Sequence, residues 1–202
     1  EASMSSFRTS RTFDVLFIGC LLGVLVVAYL YRVALGDWLF FASHQPAERV
    51  VNLAKSAKLT DTGTRLLYRG DPQFVGIATI ESVCDTQELG CLTPKGQIYI
   101  LDDPTNQGQS VITALHEMLH LAYRRLPESA KAGLSYELTQ VQQDPSLEVE
   151  LKAYTNSEER RDEAFAIAGT EIRSLPKGLE EQYQRYFQDR EQIVSTFENS
   201  LK

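Results

Sequence analysis

His116, Glu117 and His120 stand close enough in the chain to serve one metal ion. Residues four apart share a helix face, so both imidazoles can point to one place with the Glu117 carboxylate beside them. The chain has three histidines, and two of them fall in this single turn. Read as a zinc site, His116 and His120 bind one ion as neutral imidazoles, a third protein ligand joins them, and water takes the remaining position. Glu117 then accepts a proton from that water as it attacks a polarised carbonyl, and passes it to the leaving amine. That is peptide hydrolysis without a Ser or Cys nucleophile. The plainer alternative is a pair of histidines hydrogen-bonded in a core.

A helix must position these groups. From Ser110, a candidate N-cap, neither Gly nor Pro interrupts the chain before Pro127, which gives about four turns. Ile112, Leu115, Leu119 and Ala122 recur every three or four residues and predict the core stripe, while Thr113, His116, Glu117, His120 and Arg124 gather on the other side.

At these residues the chain resembles the zincin metallopeptidases, whose active helix carries the HExxH signature. The metzincin branch continues with Gly and then His at places that hold Tyr123 and Leu126 here, so that branch is excluded. The gluzincin branch takes a Glu from a later helix, often with a small residue three positions on, and Glu163-Ala164-Phe165-Ala166 is similar. The resemblance implies one Zn2+ held by His116, His120 and Glu163, with Glu117 catalytic. Gluzincins often carry Asp four residues after the ligand, where this chain has Ile167, so an outer carboxylate is missing or supplied elsewhere, for example by Glu171. The order of elements over most of residues 46–202 resembles that of minimal single-domain gluzincins, and Gly169-Thr170-Glu171 with the Tyr-rich last helix is similar to membrane-anchored metallopeptidases of this type.

The residues themselves also favour Glu163. Asn156 and Glu159 form a variant capping box opening a helix over 157–173, in which Phe165, Ala168 and Ile172 make one apolar stripe. Glu163 lies on a second, mostly uncharged stripe with Ala166, Ile167 and Thr170, where an unpaired carboxylate would be costly. A surface pairing with Arg160 is the bland alternative. Glu171 and Glu159 compete as ligands, because the connection from His120 is too long for spacing to choose.

The N-terminal end has a different chemistry. Residues 15–31 are uncharged, and Val33, Ala34 and Leu35 extend the run past Arg32 to about the ~20 residues a bilayer requires. We therefore expect a cytoplasmic tail over 1–14, a transmembrane helix over 15–35 and a peptidase domain over 46–202. Tyr29, Tyr31, Trp38, Phe40 and Phe41 suit an aromatic belt, and Arg8 and Arg11 place the N-terminus in the cytoplasm and the domain outside. A signal peptide cleaved after Ala34-Leu35-Gly36 is the alternative, though the apolar stretch exceeds the usual h-region. Lipid attachment at Cys20 is disfavoured because the apolar run continues past it. With Met4 near the start, residues 1–3 read as a processing remnant.

Cys84 and Cys91 enclose a short polar loop, and an oxidising compartment would favour their bond. Two free thiols in a cytosolic domain would reverse the orientation. From Asp37 onward 17 basic and 25 acidic residues give a net charge of −8 with no Lys/Arg cluster, which makes nucleic acid a poor partner. A helix is expected over 46–59, short strands over 65–68, 74–80 and 97–101, and a polar loop over 102–109. Further helices are expected over 128–142 and 146–154, and a long last one from Leu179, with Tyr183, Phe187, Val194, Phe197 and Leu201 near one face.

Together these readings predict an α+β fold: a mostly helical, zincin-like domain with a small sheet before the HExxH helix, plus one transmembrane helix. The expected function is a membrane-anchored zinc endopeptidase acting on an extracytoplasmic protein or peptide. Two alternatives stand beside it: an anchored binding or assembly protein whose metal site is structural or degenerate, and a metal-free structural domain. Candidates for stabilising the oxyanion are, by residue type, His44, Tyr123, Arg124, Tyr136 and Tyr154.

Overall fold

A computed structural model describes residues 6–84, 88–147 and 151–202. The chain divides into two units, residues 1–45 and 46–202.

The first unit is helical. Helix α1 spans Ser6–Leu30 and α2 spans Arg32–Ser43. The continuous helix expected over 15–35 is broken at Tyr31, whose φ of −99° and ψ of 10° leave the helical region. Among the described residues no single helix is long and apolar enough to cross a membrane. Leu16–Ala28 and Arg32–Ser43 meet that test of length and composition only as a pair, bent by 70°. Leu16, Phe17, Leu21, Leu22, Val24 and Leu25 are exposed on α1.

The second unit is a helical domain around a small sheet, as the α+β expectation has it. Helix α3 (Glu48–Ser56) buries Val50, Leu53 and Ala54. Helix α4 (Asp61–Arg69) follows, its first turn capped by Thr60, whose hydroxyl accepts from the Gly63 N–H at 3.1 Å. This corrects the strand expected over 65–68. Gly63, Leu66 and Leu67 bury one helical face, and Gly63 lies so close to the Tyr186 carbonyl that a Cβ would not fit, so packing overrides local β propensity.

Strand β1 (Gln73–Val75) is short, because Gly76 turns the chain into α5 (Ile77–Val83), which buries Ile80. Only the start of the strand expected over 74–80 forms. Strand β2 (Gly90–Leu92) lies outside the expected strands and pairs antiparallel with β3 (Ile98–Leu101), setting Cys91 opposite Tyr99. Strand β1 runs parallel to the other side of β3, with Phe74 opposite Ile100, so the order is β1-β3-β2. Cys84 and Cys91 are disulfide-bonded, tying the end of α5 to the edge strand.

Helix α6 (Gln107–Arg124) is about 27 Å long and runs through the centre of the domain. It starts earlier than expected. Asn106 is the cap, accepting from the Gln109 N–H at 3.1 Å, and Ser110 lies inside the helix with its hydroxyl donating to the Leu101 carbonyl at 3.0 Å. The loop expected over 102–109 is shorter by the same residues. Helix α7 (Glu128–Gln142) has the expected bounds. A 3-10 turn at Pro145–Leu147 replaces the start of the helix expected over 146–154, whose middle lies outside the described residues.

Helix α8 (Ser157–Thr170) is capped by Asn156, which accepts from the Glu158 N–H at 2.8 Å. The long last helix is in fact two, α9 (Lys177–Tyr183) and α10 (Arg190–Ser200). Tertiary pairing breaks it: Phe187 bridges to Leu59, the Gln188 N–H donates to the Lys58 carbonyl, and Asp189 then caps α10. Leu179, Tyr183, Phe187 and Val194 are buried as the apolar pattern requires, whereas Leu201 is exposed.

Candidate metal centre

Helix α6 is buried well beyond one stripe. Ile112, Leu115, Leu119 and Ala122 face the core as expected, and Ala114, Met118 and Tyr123 are buried too. A polar strip of Thr113, His116, Glu117 and His120 is left, and its two histidines meet α8.

Close packing fixes that meeting. Gly169 of α8 lies against Leu119 of α6 and Tyr183 of α9, where a Cβ would collide with both side chains. The Tyr183 hydroxyl donates to the Phe165 carbonyl at 2.7 Å, holding α9 to the same helix. Ala166, Ile167 and Thr170 are buried as the second stripe of α8 predicted, and Glu163 is carried to the α6 histidines instead of to Arg160.

His116 Nε2 and His120 Nε2 lie 3.1 Å apart. Glu163 Oε1 is 3.4 Å from the first and Oε2 is 3.4 Å from the second. Four donors around a tetrahedral zinc at 2.0–2.1 Å are separated from one another by about 3.3 Å. The His116–His120 spacing and each nitrogen's distance to its nearer Glu163 oxygen are close to that value, one ligand atom from each residue lies within 4.8 Å of the others, and this group could hold a metal ion. The side chains of His116, His120 and Glu163 are 16, 12 and 12 % exposed, so water screens the charges little.

The other ring nitrogens face carboxylates. His120 Nδ1 is 2.8 Å from Asp162 Oδ1, and His116 Nδ1 is 3.8 Å from Glu171 Oε1. With the proton on Nδ1 facing Asp162, the His120 Nε2 lone pair is left for a cation. Glu171 therefore sits beyond the imidazole and not in the ligand group, while Glu159 is exposed at the start of α8 and also outside it.

Electrostatics point the same way. Burial works against a charged His116, yet the hydrogen bond and charge of Glu163, with Glu117 and Glu171 nearby, raise its pKa to about 9. Burial likewise opposes ionisation of Glu163, but His116, His120 and a hydrogen bond from Tyr154 lower it to about 2. The site is built to hold positive charge, as a proton or as a metal ion. Glu117 is buried, which raises its pKa, with His120 and His116 pulling the other way. It sits beside the ligand group without joining it.

Among the oxyanion candidates, Tyr154 is the one placed at the ligand group, bonded to Glu163; burial and the Glu163 carboxylate raise its pKa. Tyr123 is buried against Phe165, Tyr136 is exposed, and His44 belongs to the first unit, stacked on Phe40. Arg124 pairs with Asp162 at 3.3 Å. Asp162 stands one residue before Glu163, whereas the gluzincin pattern places its outer carboxylate four residues after the ligand. Ile167 occupies that place and is buried in the core. The signal available was Asp162 itself, next to the proposed ligand.

No protein-family model matches this sequence, and comparison with curated proteins and with solved structures gives no match either.

Proposed function

We propose that the chain is a zinc-dependent endopeptidase, gluzincin-like in its ligands, held at a membrane by its N-terminal apolar segment and acting on an extracytoplasmic protein or peptide. The observation that carries this reading is the convergence of His116, His120 and Glu163, with one ligand atom from each within 4.8 Å of the others, and buried Glu117 next to them on α6.

A zinc ion bound there supplies Lewis acidity to water and to a peptide carbonyl. Glu117 takes a proton from the attacking water and delivers it to the departing amine, and its raised pKa suits both halves of that transfer. The Tyr154 hydroxyl, released from Glu163, donates to the carbonyl oxygen as negative charge develops. The helices α6 and α8 keep the group nearly dry, which strengthens each of these interactions.

Among the described residues three ligands gather, and three favour turnover over a purely structural metal, because structural zinc sites close with four. The Cys84–Cys91 bond favours an oxidising compartment for the domain. The exposed Leu, Phe and Val residues of α1 favour an apolar surrounding for that helix. The test is to measure, on the full chain in detergent, zinc bound per chain and cleavage of an unstructured protein with and without a chelator. One bound zinc with chelator-sensitive cleavage supports the reading, and zinc-independent behaviour rejects it.

A further inference from the structure

We infer that Asp162 is a positioning residue that holds His120 in its metal-binding tautomer and orientation, with Arg124 bracing Asp162 from the far side. The inference rests on the metal reading above and deepens it.

The two oxygens of Asp162 have separate partners. Oδ1 is 2.8 Å from His120 Nδ1 and Oδ2 is 3.3 Å from Arg124 Nε. The imidazole contact is the shorter, and the Asp162 side chain is only 15 % exposed while Arg124 is 49 % exposed. A simple surface ion pair would leave the carboxylate in water. This one is drawn under the ring of a ligand.

Chain geometry supplies both partners. Arg124 follows His120 by four residues and so stacks one turn above it on α6, and Asp162 directly precedes Glu163 on α8. One short stretch of α8 therefore provides a ligand candidate and the brace for another. Among the described residues the carboxylate facing His116 Nδ1 is farther off, Glu171 at 3.8 Å. His120 is the fixed imidazole of the pair.

The experiment measures zinc affinity by competition with a chromophoric chelator, together with the visible absorption spectrum of the cobalt-loaded protein, on the full chain in detergent. Asp162→Ala is expected to weaken zinc binding by about 10- to 100-fold and to shift the cobalt bands, because His120 is no longer held in place. Asp162→Asn, which keeps the volume and an accepting oxygen, is expected to recover most of that affinity. Arg124→Ala is expected to weaken binding less than Asp162→Ala does. Wild-type zinc affinity and an unchanged cobalt spectrum in Asp162→Ala would overturn the inference and leave the metal site standing. The same holds if Asp162→Asn loses as much as Asp162→Ala. A wild-type chain that takes up neither metal would overturn the metal reading and this inference with it.

Discussion

The Nε2 atoms of His116 and His120 face each other across 3.1 Å, and each is 3.4 Å from a different oxygen of Glu163. At that distance one Nε2 can donate a proton to the other, or both lone pairs can turn to a shared cation. A proton and a metal ion are thus alternative occupants of the space between these groups.

The two possibilities compete, and this makes a pH prediction. Glu163 is held at about 2, below its ordinary 4.5, so its contribution to stability is complete above 4.5 and is lost as pH falls through 2. His116 is held at about 9, above its ordinary 6.5, so its contribution is complete below 6.5 and is lost as pH rises through 9. The metal-free chain should therefore gain most from this pair between pH 4.5 and 6.5. Zinc must displace the His116 proton, so its affinity should rise by about tenfold per pH unit toward pH 9. Titrations at several pH values check this, and a pH-independent affinity would contradict it.

The ligand assignment separates Glu163 from Glu171. Glu163→Ala should reduce zinc affinity by a hundredfold or more, on the order of 3 kcal/mol, because it removes a direct donor. Glu171→Ala should cost about tenfold at most, since Glu171 reaches only His116 Nδ1. Equilibrium dialysis against zinc reads both, and the reverse order would move the ligand to Glu171.

Arg190 locks the end of α8. Its side chain is almost wholly buried and donates to Glu180 and to the carbonyls of Ala168, Ile172 and Arg173. Arg190→Met leaves these acceptors without their donor and should lower unfolding stability by about 3 kcal/mol in urea titrations. A change below about 1 kcal/mol would show that the lock contributes little.

The membrane proposal is tested by flotation with lipid vesicles. Leu22→Arg together with Leu25→Arg places two charges on the exposed apolar surface of α1, each costing about 2.5–3.5 kcal/mol in a bilayer. The full chain should float with vesicles and the double variant should not. Equal flotation would place attachment elsewhere.

The sequence made α6, α7 and α8 readable because each carries its own information: apolar periodicity, an Asn or Pro boundary, and a chemical stripe that interrupts an apolar helix. Glu163 was legible for the same reason, as a carboxylate among Ala166, Ile167 and Thr170. Long-range packing was not legible. The Leu59–Phe187 bridge splits the last helix, and the close approach of Gly63 to Tyr186 keeps residues 65–68 helical. Strand β2 is three residues long, held by its pairing to β3 and by the disulfide at Cys91. The meeting of Asp162 with His120 arises only where α8 lies against α6, and Tyr154, a candidate by residue type alone, is singled out by its hydrogen bond to Glu163.

The role of Glu117 separates a peptidase from a metal-binding protein. Zinc content and peptide cleavage should be measured side by side in the wild type and in Glu117→Gln. The account predicts equal zinc in both and a loss of kcat of at least about a hundredfold in the variant. Cleavage by Glu117→Gln at the wild-type rate, with zinc still bound, would contradict it.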